Sequence, residues 1–280
     1  MDRNPENWKI VKKSKFLSDF VKYRYLLSEI VRRNIKVQYR DSVLGIFWTL
    51  LQPLLTTIVL ALVFGGFFGK KADGIDNYVI YLLCGRLLYD FFSQSTKRAM
   101  KSIRLSAGVI KKVYVPKYMY PLGNVISCFI TFLISLIILV GFLIGYGFTD
   151  KAVPITPYIL LSVVPIIVLF ILCLGVGMIL STAAVFFKDS EYLYDVFCML
   201  LFYATPIVYV LNSMNMNKYV EMGIKANPLY SIISMFRDCV LNGQMFNIKH
   251  LCYSLAFGVV CVIIGAVMFK KKQDKFILHI

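Results

Sequence analysis

Apolar and polar residues fall along this chain in long blocks. Residues 1–21 are polar and basic and predict a loosely ordered N-terminal tail. Residues 22–41 change to a helical pattern. Tyr23, Leu27, Val31, Ile35 and Tyr39 recur at i+4, flanked by Leu26 and Ile30. Arg32, Lys36 and Arg40 form the other face beside Arg33, which has Glu29 four residues before it. An apolar stripe backed by a basic face predicts a helix lying in the headgroup layer of a membrane. A surface helix packed on the protein's own core would carry the same pattern.

Six apolar runs follow, at about 44–68, 78–95, 120–146, 158–187, 194–211 and 251–269. A helix needs roughly 20 apolar residues to cross a hydrocarbon layer of about 30 Å. Pro53 lies inside the first run, where it removes one backbone hydrogen bond and can bend the helix. Residues 96–117 form a basic connector, and residues 212–249 are mixed, with an amphipathic piece. The expected fold is an all-α polytopic membrane protein. Six transmembrane helices are preceded by the interfacial helix, and residues 42–280 form one six-span domain without internal repeats.

Composition agrees with the pattern. Mean hydropathy is +0.71 and only 16% of residues are charged, against about a quarter in a soluble domain. A soluble protein with an apolar core is therefore excluded. The formal net charge of +16 would point to nucleic acid in a soluble protein. Here the loops hold the cations, so topology accounts for them and no nucleic-acid partner is implied. Six spans put both ends on one side. Of 31 lysines and arginines, 23 fall on that side and seven on the other, Arg237 among the seven, while Arg86 lies inside the second span. The bias puts both termini and the 96–117 connector in the cytoplasm, in a multi-pass protein of the cytoplasmic (inner) membrane. The opening forty residues have no signal-peptide pattern, so the first span is expected to direct insertion. Seven cysteines show no CxxC spacing and read as small buried hydrophobes.

Catalytic chemistry is not signalled. The two histidines, His250 and His279, have no helix-spaced carboxylate. The stretch Gly65-Gly66-Phe67-Phe68-Gly69-Lys70 fails the phosphate-loop spacing at Phe64 and Lys71. No cofactor is expected on this chain, which reads as a transport subunit and not an enzyme. If transport consumes ATP, the nucleotide and its magnesium belong to a separate subunit. Asp90 and the edge residue Asp195 are the carboxylates within the spans, which argues against an ion-coupled carrier.

The segment Tyr39-Arg40-Asp41-Ser42-Val43-Leu44-Gly45-Ile46-Phe47-Trp48, then Leu51-Gln52-Pro53-Leu54, resembles the opening of the type-2 ABC exporter permeases of O-antigen, capsule and teichoic acid. The connector Val109-Ile110-Lys111-Lys112-Val113-Tyr114-Val115-Pro116-Lys117, with Pro121-Leu122 after it, resembles the first cytoplasmic loop of the same family. Phe187-Lys188-Asp189, and Asn227-Pro228-Leu229 with Arg237, fit it more loosely. The resemblance implies the type-2 ABC exporter fold. It also implies a second copy of this chain, two ATP-binding cassette subunits, and a substrate glycan linked to undecaprenyl diphosphate. It implies ATPase contacts within residues 101–113 and 188–192, drawing in Lys101, Arg104, Lys111, Lys112, Lys188, Asp189 and Glu191. Outer gate helices are implied within 213–245.

Sugars are bound by aromatic faces. Candidates along a glycan path are Tyr39, Phe47 and Trp48 at the join, Tyr81, Tyr89, Phe91 and Phe92 in the second span, and Phe202, Tyr203 and Tyr209 in the fifth. Aromatic residues also gather at membrane interfaces for physical reasons alone. Arg86 precedes Asp90 by four residues on one helix face. It can meet a diphosphate or acidic glycan, or the pair can simply neutralise itself. Gly141 and Gly145 form a GxxxG that permits close helix packing. A type-2 permease for drugs or lipids, a membrane enzyme of lipid-linked sugars and a non-catalytic scaffold are the alternative functions.

Overall fold

The computed structural model describes residues 7–64, 77–112, 115–148, 156–211 and 217–276, with side chains from residue 23 onward. The glycine-rich stretch 65–70, residues 113–114 of the connector and the start of the 213–245 gate segment lie outside the described residues. Every regular element among the described residues is helical.

The first helix, α1, runs Asn7–Tyr39. It begins well before the expected start, so most of the anticipated tail is helical. Between Asn7 and Leu44 there is neither glycine nor proline to interrupt it. A turn then redirects the chain. Ser42 donates its backbone N–H to Tyr39 O, and the Ser42 hydroxyl accepts from Gly45 N at 3.2 Å. Gly45 has φ +52°, a left-handed conformation that side chains disfavour. A 3-10 turn at Gly45–Phe47 then leads into α2, Trp48–Phe64.

The central helix, α3, runs Tyr78–Leu105 without a break. A short α4, Ala107–Ile110, follows. Next come α5 (Met119–Gly147) and α6 (Val163–Phe186), the latter entered through a 3-10 turn at Pro157–Ser162. The remaining helices are α7 (Ser190–Ala204), α8 (Lys218–Lys225), α9 (Pro228–Val240) and α10 (Ile248–Lys272). Side-chain oxygens of Asn217, Asn227 and Asn247 cap α8, α9 and α10.

Among the described residues, four helical stretches are long and apolar enough to cross a membrane: Gly45–Phe64, Met119–Gly147, Pro157–Phe186 and Ile248–Lys275. The other two expected spans correspond to α3 and α7. The first carries charges along its length, and the second has 15 residues.

The main core gathers around α3, with Leu83, Leu87, Leu88 and Phe91 packed among residues of α5, α6 and α9. The closest helix pair is α6 with α10. A Cβ on Gly175 would lie 2.6 Å from Val262 N, so the backbones meet there. Gly265 approaches Gly175 O in the same seam. The GxxxG of α5 is different: nothing lies within 4 Å of a Cβ at Gly141 or Gly145. The apolar stripe of α1 lies on α5, with Ile30 and Val31 buried. A Cβ on Gly123 would sit 2.6 Å from Ile30 Cγ2.

Candidate functional site: a polar path along α3

Between Tyr81 and Leu105, α3 is buried almost all round. The residues that escape burial are Arg86, Asp90, Gln94, Lys97, Arg98, Lys101, Arg104 and Leu105. They recur every three or four positions, so they form one stripe on one helix face. All but the last are polar or charged. The buried faces carry leucine, phenylalanine, alanine and small hydroxyl residues packed on α5, α6 and α9.

Arg86 Nε donates to Asp90 Oδ2 at 2.8 Å, and each side chain is about a quarter exposed (23% and 24%). The Arg86 guanidinium also lies 5.2 Å from the Phe202 ring of α7. Beyond Asp90 the stripe opens onto a cavity of about 50 Å³ between the end of α1, α2, α3 and α5. Gln38, Tyr39, Thr49, Gln52, Asp90 and Gln94 contribute to its wall. Gln38 holds its mouth: its Nε2 donates to Tyr39 Oη at 2.7 Å, and its Oε1 accepts from Arg98 Nη1 at 2.6 Å. Burial raises the Tyr39 phenol above its usual range, against an opposing pull from Arg98.

Pro53 borders the same cavity. Its missing N–H leaves Thr49 O without an intrahelical donor, and Ser135 of α5 supplies one at 3.0 Å. The bend expected from proline is thus tied into the neighbouring helix.

At the far end of the stripe, α7 is joined to α3 by charge. Lys97 meets Asp195 at 2.8 Å, and Arg104 meets Glu191 at 2.9 Å, with Lys101 4.0 Å from the same carboxylate. Higher up, Tyr194 Oη donates to Thr96 Oγ1 at 2.8 Å and Tyr89 Oη donates to Cys198 O. Of the expected partner contacts, Lys101, Arg104 and Glu191 therefore bond one another within this chain. Lys111, Lys112, Lys188 and Asp189 are exposed in the turns after α4 and α6. Arg32, Arg33, Lys36 and Arg40 lie exposed on or just past α1.

The aromatic candidates separate into two groups. Phe47, Trp48 and Tyr203 are exposed. Tyr209 is half-buried and donates to Tyr203 O at 3.1 Å. Tyr81 and Tyr89 are buried and face no open path, because hydrogen bonds to the chain turn them inward. Phe202 meets the Tyr89 ring edge-on, with ring centroids 5.1 Å apart, and Phe91 and Phe92 are buried.

Tyr81 instead belongs to a cage around Arg237. The sequence treats that arginine as an outer-loop charge, but it is buried in α9. Its guanidinium donates to Pro206 O at 2.8 Å, Tyr81 O at 3.1 Å and Ile207 O at 3.2 Å, and lies 3.5 Å from the Tyr81 ring centre. Asn227, at the start of α9, donates to Thr205 Oγ1 at 3.0 Å. Both ends of α9 are thereby fastened to the Thr205-Pro206-Ile207 link that follows α7. The loosely matching Asn227-Pro228-Leu229 and Arg237 were the sequence's sign of this fastening.

A family model described as ABC-2 type transporter matches residues 25–241. The O-antigen export system permease protein RfbA of Klebsiella pneumoniae is 31% identical over 251 residues, covering 90% of this chain and 93% of its own length. The RfbA protein of Myxococcus xanthus is 24% identical over 94% of this chain and 98% of its own length. The polysialic acid transport protein KpsM of Escherichia coli is 22% identical over 92% and 97%.

Proposed function

Because the chain belongs to the ABC-2 type transporter family, we propose that it is the membrane permease of a polysaccharide exporter. Its substrate is a glycan on undecaprenyl diphosphate, carried from the cytoplasm across the cytoplasmic membrane. ATP hydrolysis in a separate subunit drives the step, and magnesium is held there. Two copies of this chain and two ATP-binding subunits make the working assembly. In this arrangement α3 and α7 join the four apolar helices to complete six crossings, and α1 lies at the cytoplasmic interface. Both termini are cytoplasmic, and α8 and α9 form the outer gate.

The observation that carries this function is the polar stripe of α3. A charged residue facing lipid at the middle of a helix costs roughly 2.5–3.5 kcal/mol. Arg86, Asp90 and Lys97 together make a lipid-facing stripe untenable, so it faces α7 and the polar cavity beside Asp90. A polar wall with amides and a neutralised ion pair suits a long hydroxyl-rich polymer, which needs weak repeated contacts and no catalytic group. Names of the relatives, O-antigen and polysialic acid export, support the same substrate class.

Depletion of the chain is the direct test. Lipid-linked glycan should accumulate on the cytoplasmic face, and ATP hydrolysis by the partner should depend on this chain. Normal glycan export in depleted cells would overturn the proposal, as would copurification with a glycan-modifying activity in place of an ATPase. A reporter fused after Lys272 should lie in the cytoplasm.

A further inference from the structure

Beside the stripe lies a second recess, between α1 and the last turns of α3. It is a groove of about 690 Å³, lined by Arg33 and Asn34 of α1, Lys97, Arg98 and Lys101 of α3, and Asn124 of α5. No carboxylate lines it. From α7, Asp195 engages Lys97, and Glu191 is drawn mainly to Arg104. Among the described residues, Arg33 and Arg98 have no ion-pair partner. The Nδ2 of Asn34 is buried and meets no acceptor.

Two guanidinium groups, two ammonium groups and three amides around one recess, with Arg98 already donating to one of them, Gln38, are the donor set for a phosphate-rich anion. Guanidinium forks match phosphate oxygens in pairs, and a diphosphate offers enough oxygens for both forks. Gln38 lines both the groove and the inner cavity. A group bound in the groove would therefore sit at the Lys97–Lys101 end of the stripe, with α1 and its apolar stripe beside it. We propose that this groove binds the diphosphate of a membrane-anchored isoprenoid diphosphate, with Arg33 and Arg98 as principal ligands. The isoprenoid anchor rests on the export function above; the diphosphate site rests on the groove itself. Recognition then falls on the invariant linkage and leaves the sugar sequence free.

Two other occupants are possible outcomes: a bilayer phospholipid headgroup and an acidic surface of the ATPase partner. The recess favours the diphosphate, because it has amides in its wall and continues into the polar path, whereas a docking patch for a protein is broad and open.

The test uses the full chain with its ATPase partner in nanodiscs of neutral lipid, and farnesyl diphosphate as the probe. Saturable binding is expected, displaced by inorganic diphosphate. The double variant Arg33→Gln/Arg98→Gln should weaken it about tenfold or more, and Arg33→Lys/Arg98→Lys less. Unaltered affinity in the glutamine variant sinks the proposal. Displacement of the probe by phosphatidylglycerol at equal mole fraction assigns the groove to bilayer lipid and overturns it. So does loss of ATPase copurification with probe binding intact. Should binding prove independent of the groove while depletion still traps lipid-linked glycan, only the diphosphate site falls and the export function stands.

Discussion

Arg237 is the residue on which the link between α7 and α9 depends. A buried guanidinium with three carbonyl acceptors and an aromatic face below it is stable because each polar contact replaces water. Arg237→Met removes three charge-assisted bonds, each worth about 1.5–3 kcal/mol, although Pro206 O still accepts from Tyr81 Oη at 3.3 Å. The assembled protein should lose several degrees of thermal stability, measured in detergent by fluorescence. Gly85→Ala approaches the same cage from the other side. Its Cβ would fall 2.5 Å from Arg237 Nη2, so it should destabilise by about 1–3 kcal/mol through overpacking. Equal melting of wild type and both variants would remove the cage from the account. Pro53 offers a sharper test. Ser135→Ala leaves Thr49 O unpaired and should destabilise by about 1–2 kcal/mol. In a Pro53→Ala background the restored N–H serves that carbonyl, and the same Ser135→Ala change should have little effect. A double-mutant cycle reads this coupling directly, and additive effects would refute it. Neither contact was legible in the sequence. Charge type and spacing mark Arg237 as an outer cation, and only packing reveals that α9 folds inward over it.

Among the elements, α3 differs most from expectation. The sequence divides it into a span at 78–95 and a connector from 96, because lysines and arginines begin there. Hydropathy averages over a helix face, however, and Ala99, Met100 and Ile103 continue the buried side while the charges stay on the stripe. The helix therefore runs on to Leu105. A coupling element needs to be rigidly joined to a span, and the Lys97–Leu105 end of α3 is part of the same helix. Glycine motifs teach a similar lesson. The GxxxG at Gly141 and Gly145 is plain in the sequence yet faces open space, while the close seam lies at Gly175 and Gly265. Gly175→Leu should prevent α6 and α10 from meeting and abolish stable assembly. Gly141→Ala and Gly145→Ala should leave monodispersity in size-exclusion chromatography unchanged. The opposite ranking would refute the seam.

For the whole molecule, the apolar runs and the chain-wide resemblance were legible, because each span must be continuous in sequence to satisfy its own backbone bonds. Which aromatics are exposed was only half legible. Exposed Phe47, Trp48 and Tyr203 could be named from position; Tyr81 and Tyr89 could not be told from them, since side-chain direction depends on neighbours far away in sequence. Large apolar faces on α2, α7 and α10 are exposed, as helices bordering lipid would be. Tyr39→Ala and Trp48→Ala should lower glycan export while the ATPase still copurifies; full export by both would remove them from the path.

The unbroken length of α3 has a mechanical consequence. Its 28 residues make a rod of about 42 Å. A Cβ on Gly177 of α6 would stand 2.9 Å from Ala99 Cβ, a close crossing along that rod. If α3 pivots there, the cytoplasmic arm to Leu105 is about 9 Å and the outer arm to Tyr78 about 32 Å. A lever of those proportions multiplies displacement about 3.5-fold and divides force by the same factor. Spin labels near each end, in paired copies, should report an outer shift about three times the inner one when ATP binds the partner; equal shifts would mean α3 translates without pivoting. Small, forceful strokes at the ATPase would then become wide, gentle openings at the gate, the gearing that suits a bulky cargo held by weak contacts.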